Sequence, residues 1–155
     1  MSERSPEEAV TELLETVVGA LGLEAEVEVK LEDDTIFGTL NGEDMGLFIG
    51  RRGQTIEAVQ HLAQRMIAGD NEGPRLRVVI DAEGYRARRE EALQRQADEA
   101  AEEALRFDRP VSLDAMAASE RKIVHTYLAE RGDVATHSEG DEPDRHLVVA
   151  PSAEA

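Results

Sequence analysis

Two adjacent arginines between two glycines are the residues of this sequence best suited to bind an anion. The tetrad Gly50-Arg51-Arg52-Gly53 is followed at once by the apolar spacing of a helix that starts near residue 54. Glycines let a backbone approach a ligand closely, and the free N–H groups and dipole of a helix start favour negative charge. The residues expected to contact a phosphate backbone here are Gly50, Arg51, Arg52, Gly53 and Gln54.

The tetrad does not belong to a nucleotide-binding P-loop. A P-loop requires Gly-Lys followed by Ser or Thr, and no such sequence occurs here. A bound nucleoside triphosphate with magnesium is therefore not expected. Two glycines three residues apart are a weak signal by themselves, because many helices begin after a glycine. The interpretation depends on the elements around the loop.

A second candidate anion site lies on a helix predicted for residues 115 to 131. Arg121 and His125 are four residues apart and therefore neighbours on one flank of that helix, with Lys122 beside them. Arginine offers a planar fork of donors, and a protonated histidine donates from either ring nitrogen. Taken alone, an exposed Arg and His at this spacing are usually a solvated face. The apolar face is formed by Ile123, Val124, Tyr127 and Leu128, with Met116 ahead of them.

Two more charged residues of this C-terminal region need a partner. Arg145 follows the turn-rich segment from residue 138 to 143 and precedes the last predicted strand, where it contacts either a phosphate or an acidic side chain. Glu120 falls among the apolar residues of the helix. A carboxylate buried at that position requires an ion pair or hydrogen bonds.

The acidity of the chain limits the kind of anion binding that is possible. Its 155 residues carry a formal net charge of -17. Residues 1 to 44 hold 2 basic and 13 acidic side chains, residues 45 to 110 hold 11 and 12, and residues 111 to 155 hold 4 and 9. This charge opposes indiscriminate binding to polyanions, whereas a local basic patch still acts because salt screens charges beyond about 8–10 Å. The far side of a sheet built from residues 1 to 44 is not expected to touch nucleic acid.

Apolar periodicity predicts two α+β units, residues 1–83 and residues 84–155. The first has a helix at 6–21 with Ser5 as its N-cap, strands at 25–30 and 35–40, helices at 43–49 and 54–68, a loop at 69–74 and a strand at 75–80. The second has a helix at 84–107, a short extended piece after Pro110, a helix at 115–131 and strands at 134–138 and 145–149. The residues predicted to share one face of the helix at 54–68 are Ile56, Val59, Leu62, Ala63 and Met66.

The helix at 84–107 carries its arginines first and its acids last, which is the reverse of what the helix dipole favours. One explanation is a set of ion pairs between residues four apart, and another is that the arginines are placed for an external anion. The predicted pairs are Arg86–Glu90, Glu91–Arg95 and Glu102–Arg106.

The order helix, strand, strand, helix, GxxG, helix, strand over residues 6 to 81 resembles a type II KH domain. The segment Ile49-Gly50-Arg51-Arg52-Gly53-Gln54-Thr55-Ile56 has the pattern of that family, including the flanking isoleucines. The resemblance implies that the loop clamps the backbone of about four single-stranded nucleotides. It further implies that the bases lie in an apolar groove between the helix after the loop and the neighbouring strand.

The C-terminal region resembles the single-stranded nucleic-acid-binding domain named for its Arg-x-x-x-His motif. That motif is Arg121 and His125 within SERKIVHTYLAER, and the segment SEGDEPDR that starts at Ser138 resembles the turn and last strand of the domain's bacterial form. With the KH unit and the connecting DAEGYRARREEALQRQA, nearly the whole chain resembles the bacterial Jag family, the SpoIIIJ-associated proteins also called KhpB or EloR. This resemblance implies a three-stranded KH sheet packed by helices, followed by a small α/β domain.

The resemblance to the Jag family implies an RNA-binding post-transcriptional regulator or RNA chaperone linked to cell elongation, division and sporulation. It also implies pairing with a small KH protein of the KhpA type. Many members carry an additional N-terminal domain and a basic linker, whereas this chain begins with the KH unit, so a role at a membrane is not expected. A chain without a signal-peptide pattern, a long apolar run or a cysteine is expected in the cytoplasm.

Other functions fit parts of the sequence. An enzyme is not expected, because no H-E-x-x-H, P-loop or G-x-S-x-G pattern occurs. A metal bound by His125, His137 and His146 is not expected, because their spacing is no zinc pattern, and no cofactor is predicted. A KH-type protein-interaction module and a binder of single-stranded DNA both remain open. The aromatic candidates for stacking near the two motifs are Phe48, Tyr85 and Tyr127, of which Tyr127 is expected in the core.

Overall fold

Two units, which divide between Arg86 and Ala87, make up the fold. The computed structural model describes residues 4 to 69 and 75 to 153. The predicted loop at 69–74, apart from its first residue, therefore lies outside the described residues. Each unit contains one three-stranded sheet packed by helices, which confirms the predicted α+β class.

The first unit follows the predicted order of helices and strands. Helix α1 (Pro6–Ala20) leads to strands β1 (Ala25–Glu32) and β2 (Thr35–Gly42), helix α2 (Gly46–Ile49), a 3-10 turn (Arg51–Gly53), helix α3 (Gln54–Ala68) and strand β3 (Arg77–Ala82). Strand β2 lies in the middle of the sheet, antiparallel to β1 and parallel to β3. Helix α2 is shorter than predicted, whereas β1 and β2 run further.

Local sequence signals define the first elements of this unit. Ser5 Oγ accepts a hydrogen bond from the N–H of Glu8 at 3.1 Å, and the Glu8 carboxylate accepts one from the N–H of Ser5 at 3.3 Å. This capping box confirms Ser5 as the N-cap of α1. Asp33 and Asp34 connect β1 to β2 with φ values of 44° and 64°. A two-residue turn with both φ values positive matches the twist of a hairpin, and aspartate tolerates it.

The core of the first unit joins helices α1 and α3 to one face of the sheet. Leu62 and Met66, predicted on the same face of α3 as its buried residues, are 49% and 46% exposed, so this part of the prediction is wrong. The buried stripe of α3 continues to Ile67 instead, and Leu62 and Met66 lie to one side of it. The large buried side chains of this core include Val10, Leu14, Ile36, Leu40, Phe48, Ile56, Val78 and Ile80.

Most of the long helix α4 belongs to the second unit. Helix α4 (Tyr85–Phe107) leads to strand β4 (Val111–Ser112), helix α5 (Ala118–Ala129) and strands β5 (Val134–Glu139) and β6 (His146–Pro151). Strand β6 lies between β4 and β5 and is antiparallel to both. Alanines along α4 let the helix pack closely in a core that contains Leu93, Ala97, Ala101, Val124, Leu128, Leu147 and Val149.

Arg86, at the start of α4, binds residues of the first unit. Its Nη1 donates to Glu57 Oε1 at 2.7 Å, its Nη2 to Gln60 Oε1 at 2.6 Å, and its Nε to the carbonyl oxygen of Ile80 at 2.7 Å. The guanidinium is therefore committed to α3 and β3. The predicted Arg86–Glu90 pair is wrong, because Arg86 forms its ion pair with Glu57 instead.

Arg89 binds within the second unit. Its Nε and Nη2 each lie 2.9 Å from the Glu120 carboxylate, and the side chains of this pair are 21% and 14% exposed. The expected need of Glu120 for a partner is thereby confirmed. Among the ion pairs of the described residues, neither Glu91–Arg95 nor Glu102–Arg106 occurs, so these two predictions are also wrong.

Candidate nucleic-acid interface

The two glycines of the Gly50-Arg51-Arg52-Gly53 loop adopt conformations that a side chain would obstruct. Gly50 has φ 75° and ψ 177°, and a Cβ there would overlap Thr55 Oγ1. Gly53 has φ 77° and ψ 13°, and a Cβ there would lie 2.6 Å from the Tyr85 hydroxyl oxygen. Both positions therefore require glycine. The result is a tight turn that enters α3 directly.

Among the described residues, the start of α3 has no side-chain cap, although the N–H groups of Gly53 and Gln54 donate to the carbonyl oxygens of Gly50 and Arg51 in the preceding turn. Gly53 is the N-cap, and within the described part of the chain no side chain caps this first turn. Glu57, the acid of the first turn, is paired with Arg86, which offsets its charge. The field at this helix start therefore favours a negative group. The exposed side chains around it are Arg51, Arg52 and Gln54.

The edge of β3 that faces α3 is bonded to glutamine side chains. Gln64 Oε1 accepts from the N–H of Val78 at 2.8 Å, and Gln64 Nε2 donates to the carbonyl oxygen of Leu76 at 2.8 Å. Gln60 Oε1 accepts from the N–H of Ile80 at 2.9 Å. In the groove expected between α3 and its neighbouring strand, these three backbone groups are therefore already hydrogen-bonded and are not available to a base.

Arg121 points into the second unit. Its side chain is 11% exposed. Nε donates to the carbonyl oxygen of Met116 at 3.1 Å, Nη2 donates to Glu142, and Nη1 lies 3.5 Å from Ser138 Oγ. The guanidinium ties the segment before α5 to the β5–β6 turn. The expectation that Arg121 is an exposed arginine on the flank of its helix is therefore wrong.

A cleft of about 320 Å³ lies beside Arg121, against α5 and β5. Lys122 and His125 are exposed there, and His125 Nδ1 shares a hydrogen bond with Thr136 Oγ1. Ammonium, imidazole, guanidinium and two hydroxyl groups thus converge on one concave surface and can all donate to an anion. The lining residues are Ala118, Arg121, Lys122, His125, Thr136, His137, Ser138 and Leu147.

Thr136 and Ser138 are candidate ligand residues that the sequence analysis did not single out. Both are half-buried and alternate with the exposed His137 along β5. They share a strand face with buried Val134, which turns their hydroxyls towards α5. The alternation of the predicted strand contains this signal, but it does not show that α5 covers that face.

Arg145 closes the connection between β5 and β6. Its Nη1 donates to the carbonyl oxygen of Gly140 at 2.7 Å. The sequence predicts either a phosphate or an acidic side chain as the partner of Arg145. In the structure the hydrogen bond goes to a backbone carbonyl group and not to an acidic side chain. Arg145 does not line the cleft as the described residues form it.

The three aromatic residues predicted as stacking candidates are not exposed platforms. Phe48 is fully buried, and Tyr85 is half-buried next to Gly53. The prediction that Tyr127 belongs to the core is confirmed, because it packs with the buried residues of the second unit. Its hydroxyl donates to Asp98 at 2.8 Å, and this hydrogen bond, followed by burial and the charge of Asp98, raises the pKa of Tyr127.

An ion pair fixes the chain just after α5. Arg131 donates to Asp133 from Nε and Nη2 at 3.0 Å each, and its Nη1 lies 3.6 Å from Asp98 Oδ1. The hydrogen bond from Arg131 is the main cause of a lowered pKa for Asp133 and, in return, of a raised pKa for Arg131. These charges therefore anchor the helix to α4 and lie outside the cleft.

His137 and His146 have hydrogen-bond partners within the second unit. His137 Nε2 lies 2.8 Å from Glu139 Oε1, and His146 Nδ1 lies 3.1 Å from the carbonyl oxygen of Asp144. Among the described residues, no three His, Asp or Glu side chains are grouped to hold a metal ion. No helix in residues 4–69 and 75–153 combines the length and apolarity needed to cross a bilayer.

Two protein-family models match the chain. The model described as KhpA/KhpB, KH domain matches residues 7–80, and the model of the domain named for the Arg-x-x-x-His motif matches residues 91–151. Neither of these domain families is enzymatic.

Curated relatives match along most of the chain. A protein of Clostridium symbiosum is 36% identical over 90% of this chain, one of Lactiplantibacillus plantarum is 38% identical over 92%, and one of Bacillus subtilis is 34% identical over 88%. Each is named RNA-binding protein KhpB. The matched region spans 63%, 44% and 66% of these relatives' own lengths, respectively.

Proposed function

We propose that this chain, which belongs to the KhpB (Jag) family of proteins with a KH domain and an Arg-x-x-x-His domain, binds single-stranded RNA at two surfaces. The first is the loop and helix start at residues 50–54, and the second is the cleft beside Arg121 and His125. The name that the relatives share and the chemistry of both surfaces support this function.

The strongest support is the uncapped start of α3 beside two exposed arginines. Phosphate oxygens accept hydrogen bonds from N–H groups of the first turn after Gln54, which no side chain of the described residues caps, while Arg51 and Arg52 neutralise that phosphate and its neighbours. The tight turn that presents the two arginines requires glycine at positions 50 and 53, because a Cβ there would meet Thr55 and Tyr85.

In the cleft, we assign binding to the exposed groups and positioning to Arg121. Lys122 supplies a mobile positive charge, and His125 and Thr136 donate to phosphate or sugar oxygens. Arg121 holds the walls of the cleft together. A phosphate that reaches its guanidinium competes with Glu142 for the same donors. Arg145 is assigned a weaker phosphate contact at the β5–β6 turn.

The acidity of the chain keeps this binding modest and sensitive to salt. Each phosphate that the protein neutralises on a single strand contributes about 0.7 to the slope of log affinity against log salt. The net charge of -17 acts against every strand regardless of its sequence. Weak, non-specific strands are therefore released first.

We assign this RNA binding to post-transcriptional regulation or RNA chaperoning in the cytoplasm, with effects on cell elongation and division. A small KH protein of the KhpA type is the proposed partner, as the name of the KH family model supports. Loss of the Arg51 and Arg52 charges is then expected to change cell length in the source organism.

A KH-type protein-interaction module is the second candidate function. Three apolar side chains of α2 and α3 are exposed, which favours a protein contact on these helices: Leu47 at 63%, Leu62 at 49% and Met66 at 46%. A pure interaction module binds its partner equally well when the arginines of the loop are replaced by acids.

Fluorescence anisotropy of a labelled, mixed-sequence single-stranded RNA tests the RNA-binding function. The full chain is titrated at two salt concentrations, with unlabelled DNA of the same sequence as a competitor. Arg51→Asp/Arg52→Asp probes the loop, and Lys122→Glu/His125→Ala probes the cleft. Arg65→Glu/Arg95→Glu is the matched control, because it changes the charge by the same amount as the loop variant at two other exposed arginines.

We expect salt-sensitive binding that weakens at least tenfold in the loop variant, less in the cleft variant, and about twofold in the control. Equal weakening in the loop variant and the control would mean that only net charge matters. Absence of wild-type binding at low salt would reject RNA binding by this chain and favour the interaction module. Stronger competition by DNA than by RNA would identify a binder of single-stranded DNA.

A further inference from the structure

Phe107 is an exposed aromatic side chain at the end of α4. The chain has five aromatic residues, and Phe107 is 55% exposed, the most of the five. Phe37, on β2 of the first unit, is 39% exposed. A single exposed apolar residue is common and needs no explanation by itself. The neighbours of Phe107 distinguish it.

Two guanidinium groups lie near the Phe107 ring. Arg106 Cζ is 5.5 Å and Arg109 Cζ is 5.1 Å from the ring centroid, which is within the range of about 6 Å for cation–π attraction. Arg109 also forms an ion pair with Glu103 at 3.2 Å, whose side chains are 61% and 46% exposed. Such a pair is solvated and weak, so it leaves the guanidinium available to exchange partners.

An aromatic ring beside two planar cations matches the chemistry of a nucleotide. Bases of any identity stack on aromatic faces and on guanidinium planes, and guanidinium N–H groups bind the adjacent phosphates. Glu103 and Asp108 keep the net charge of the cluster low. A strand held here therefore depends on stacking more than on charge, in contrast to the loop at the start of α3.

Strand pairing places this cluster within reach of the cleft. Val111 of β4 is paired with Val149 of β6, which is paired with Thr136 of β5, so Val111 and Thr136 are about 10 Å apart. The four residues from Phe107 to Val111 span at most about 14 Å. Phe107 thus lies within roughly 24 Å of Thr136, a distance that about seven nucleotides of a stacked strand cover at ~3.4 Å each.

We propose that Arg106, Phe107 and Arg109 form a further binding site for single-stranded nucleic acid. A base that stacks on the Phe107 ring displaces a guanidinium from it, and the two arginines then hold the phosphates on either side. This site rests on the proposed RNA-binding function and extends it to a surface outside the Arg-x-x-x-His cleft.

A tryptophan reporter tests the stacking contact directly. The chain contains no tryptophan, so Phe107→Trp gives a single indole in the cluster, and Phe37→Trp gives a matched control on the first unit. Each full-length variant is titrated with a 12-nucleotide mixed-sequence RNA while tryptophan fluorescence is recorded. A strand of equal length with abasic sugars supplies the same phosphates without bases.

We expect RNA to quench the fluorescence of Phe107→Trp, the abasic strand to quench it much less, and Phe37→Trp to change little with either. Anisotropy of labelled RNA gives the second readout. Phe107→Leu removes the ring and keeps an apolar side chain, so affinity falls at least about fivefold without a change in salt slope. Phe37→Leu leaves affinity within about twofold.

The outcomes separate this site from the proposed function. Wild-type RNA binding with no quenching in Phe107→Trp and no loss of affinity in Phe107→Leu would overturn this site alone. Equal quenching by the abasic strand would overturn stacking. No RNA binding by the wild-type chain would overturn both the proposed function and this site. Quenching by an apolar peptide in place of RNA would assign the cluster to a protein partner.

Discussion

The loop before α3 and the cleft beside α5 both contain motif arginines, yet they use them in opposite ways. In the loop, two glycines fix the backbone and leave Arg51 and Arg52 exposed. In the cleft, Arg121 is 11% exposed, and its guanidinium fixes the backbone around it. A motif arginine is therefore not by itself a ligand-binding arginine. Its role depends on where its hydrogen-bond partners lie.

Truncating one arginine in each region is the strongest test of this difference between the loop and the cleft. Arg121→Ala is expected to lower the free energy of unfolding of the second unit by about 2–3 kcal/mol, because Met116 and Glu142 lose charge-assisted hydrogen bonds. Arg51→Ala is expected to change stability by less than about 0.5 kcal/mol. Urea unfolding followed by circular dichroism measures both, and equal losses would show that Arg121 is not a positioning residue.

Adding one methyl group to the loop tests its backbone. Gly53→Ala is expected to destabilise the first unit by about 1–2 kcal/mol, because the residue has a left-handed conformation and its Cβ meets the Tyr85 hydroxyl. Tyr85→Phe removes the nearest clashing atom and should recover part of this loss in the double variant. Thermal and urea unfolding give the values. If the effects of Gly53→Ala and Tyr85→Phe on stability simply add in the double variant, the Tyr85 hydroxyl is not the source of the strain.

Removing the acid that binds Arg121 tests whether this positioning arginine also contacts RNA once its partner is gone. Glu142→Gln is expected to raise RNA affinity by roughly twofold to fivefold, because an exposed carboxylate no longer competes with phosphate for Arg121. Glu139→Gln is the matched control, since it makes the same charge change at the end of β5 but pairs with His137. An equal gain in both variants would indicate a general charge effect.

The smallest expected effect concerns pH and the end of α5. The pKa of Asp133 is lowered in the folded chain by its bond to Arg131, so this pair stabilises the fold above the ordinary aspartate value of about 3.9. The stabilisation is lost as the pH falls through the lowered pKa. The denaturant midpoint of the wild type should therefore approach that of Asp133→Asn below pH ~4. A constant difference down to pH ~2.5 would contradict the assignment.

The backbone of the loop was predictable from sequence, because glycine spacing and helix periodicity are local properties. The extent of α3 was predicted at Gln54–Ala68, and the family resemblance is confirmed by the models of the KH domain and the Arg-x-x-x-His domain. The buried partner needed by Glu120 was also predictable, since a carboxylate within an apolar stripe requires one.

Contacts between distant elements were not predictable in the same way. Spacing of four residues suggested Arg86–Glu90, whereas the guanidinium reaches Glu57, which lies 29 residues away in sequence. The inward direction of Arg121 depends on carbonyl and carboxylate groups supplied by the segment before α5 and by the β5–β6 turn. Periodicity identifies the face of a helix on which a residue lies, but it does not identify the groups that meet that face.

The glutamines of α3 also affect how copies of this chain meet at high concentration. An edge strand with unbonded amides is a template for sheet extension and aggregation. On β3 the outward amides of Val78 and Ile80 already bond to α3, so another strand cannot add there without displacing side chains. The opposite edge, β1, carries Glu26, Glu28 and Glu32, whose like charges repel the same strand of a second copy. The first sheet is therefore protected from intermolecular β-pairing at both edges.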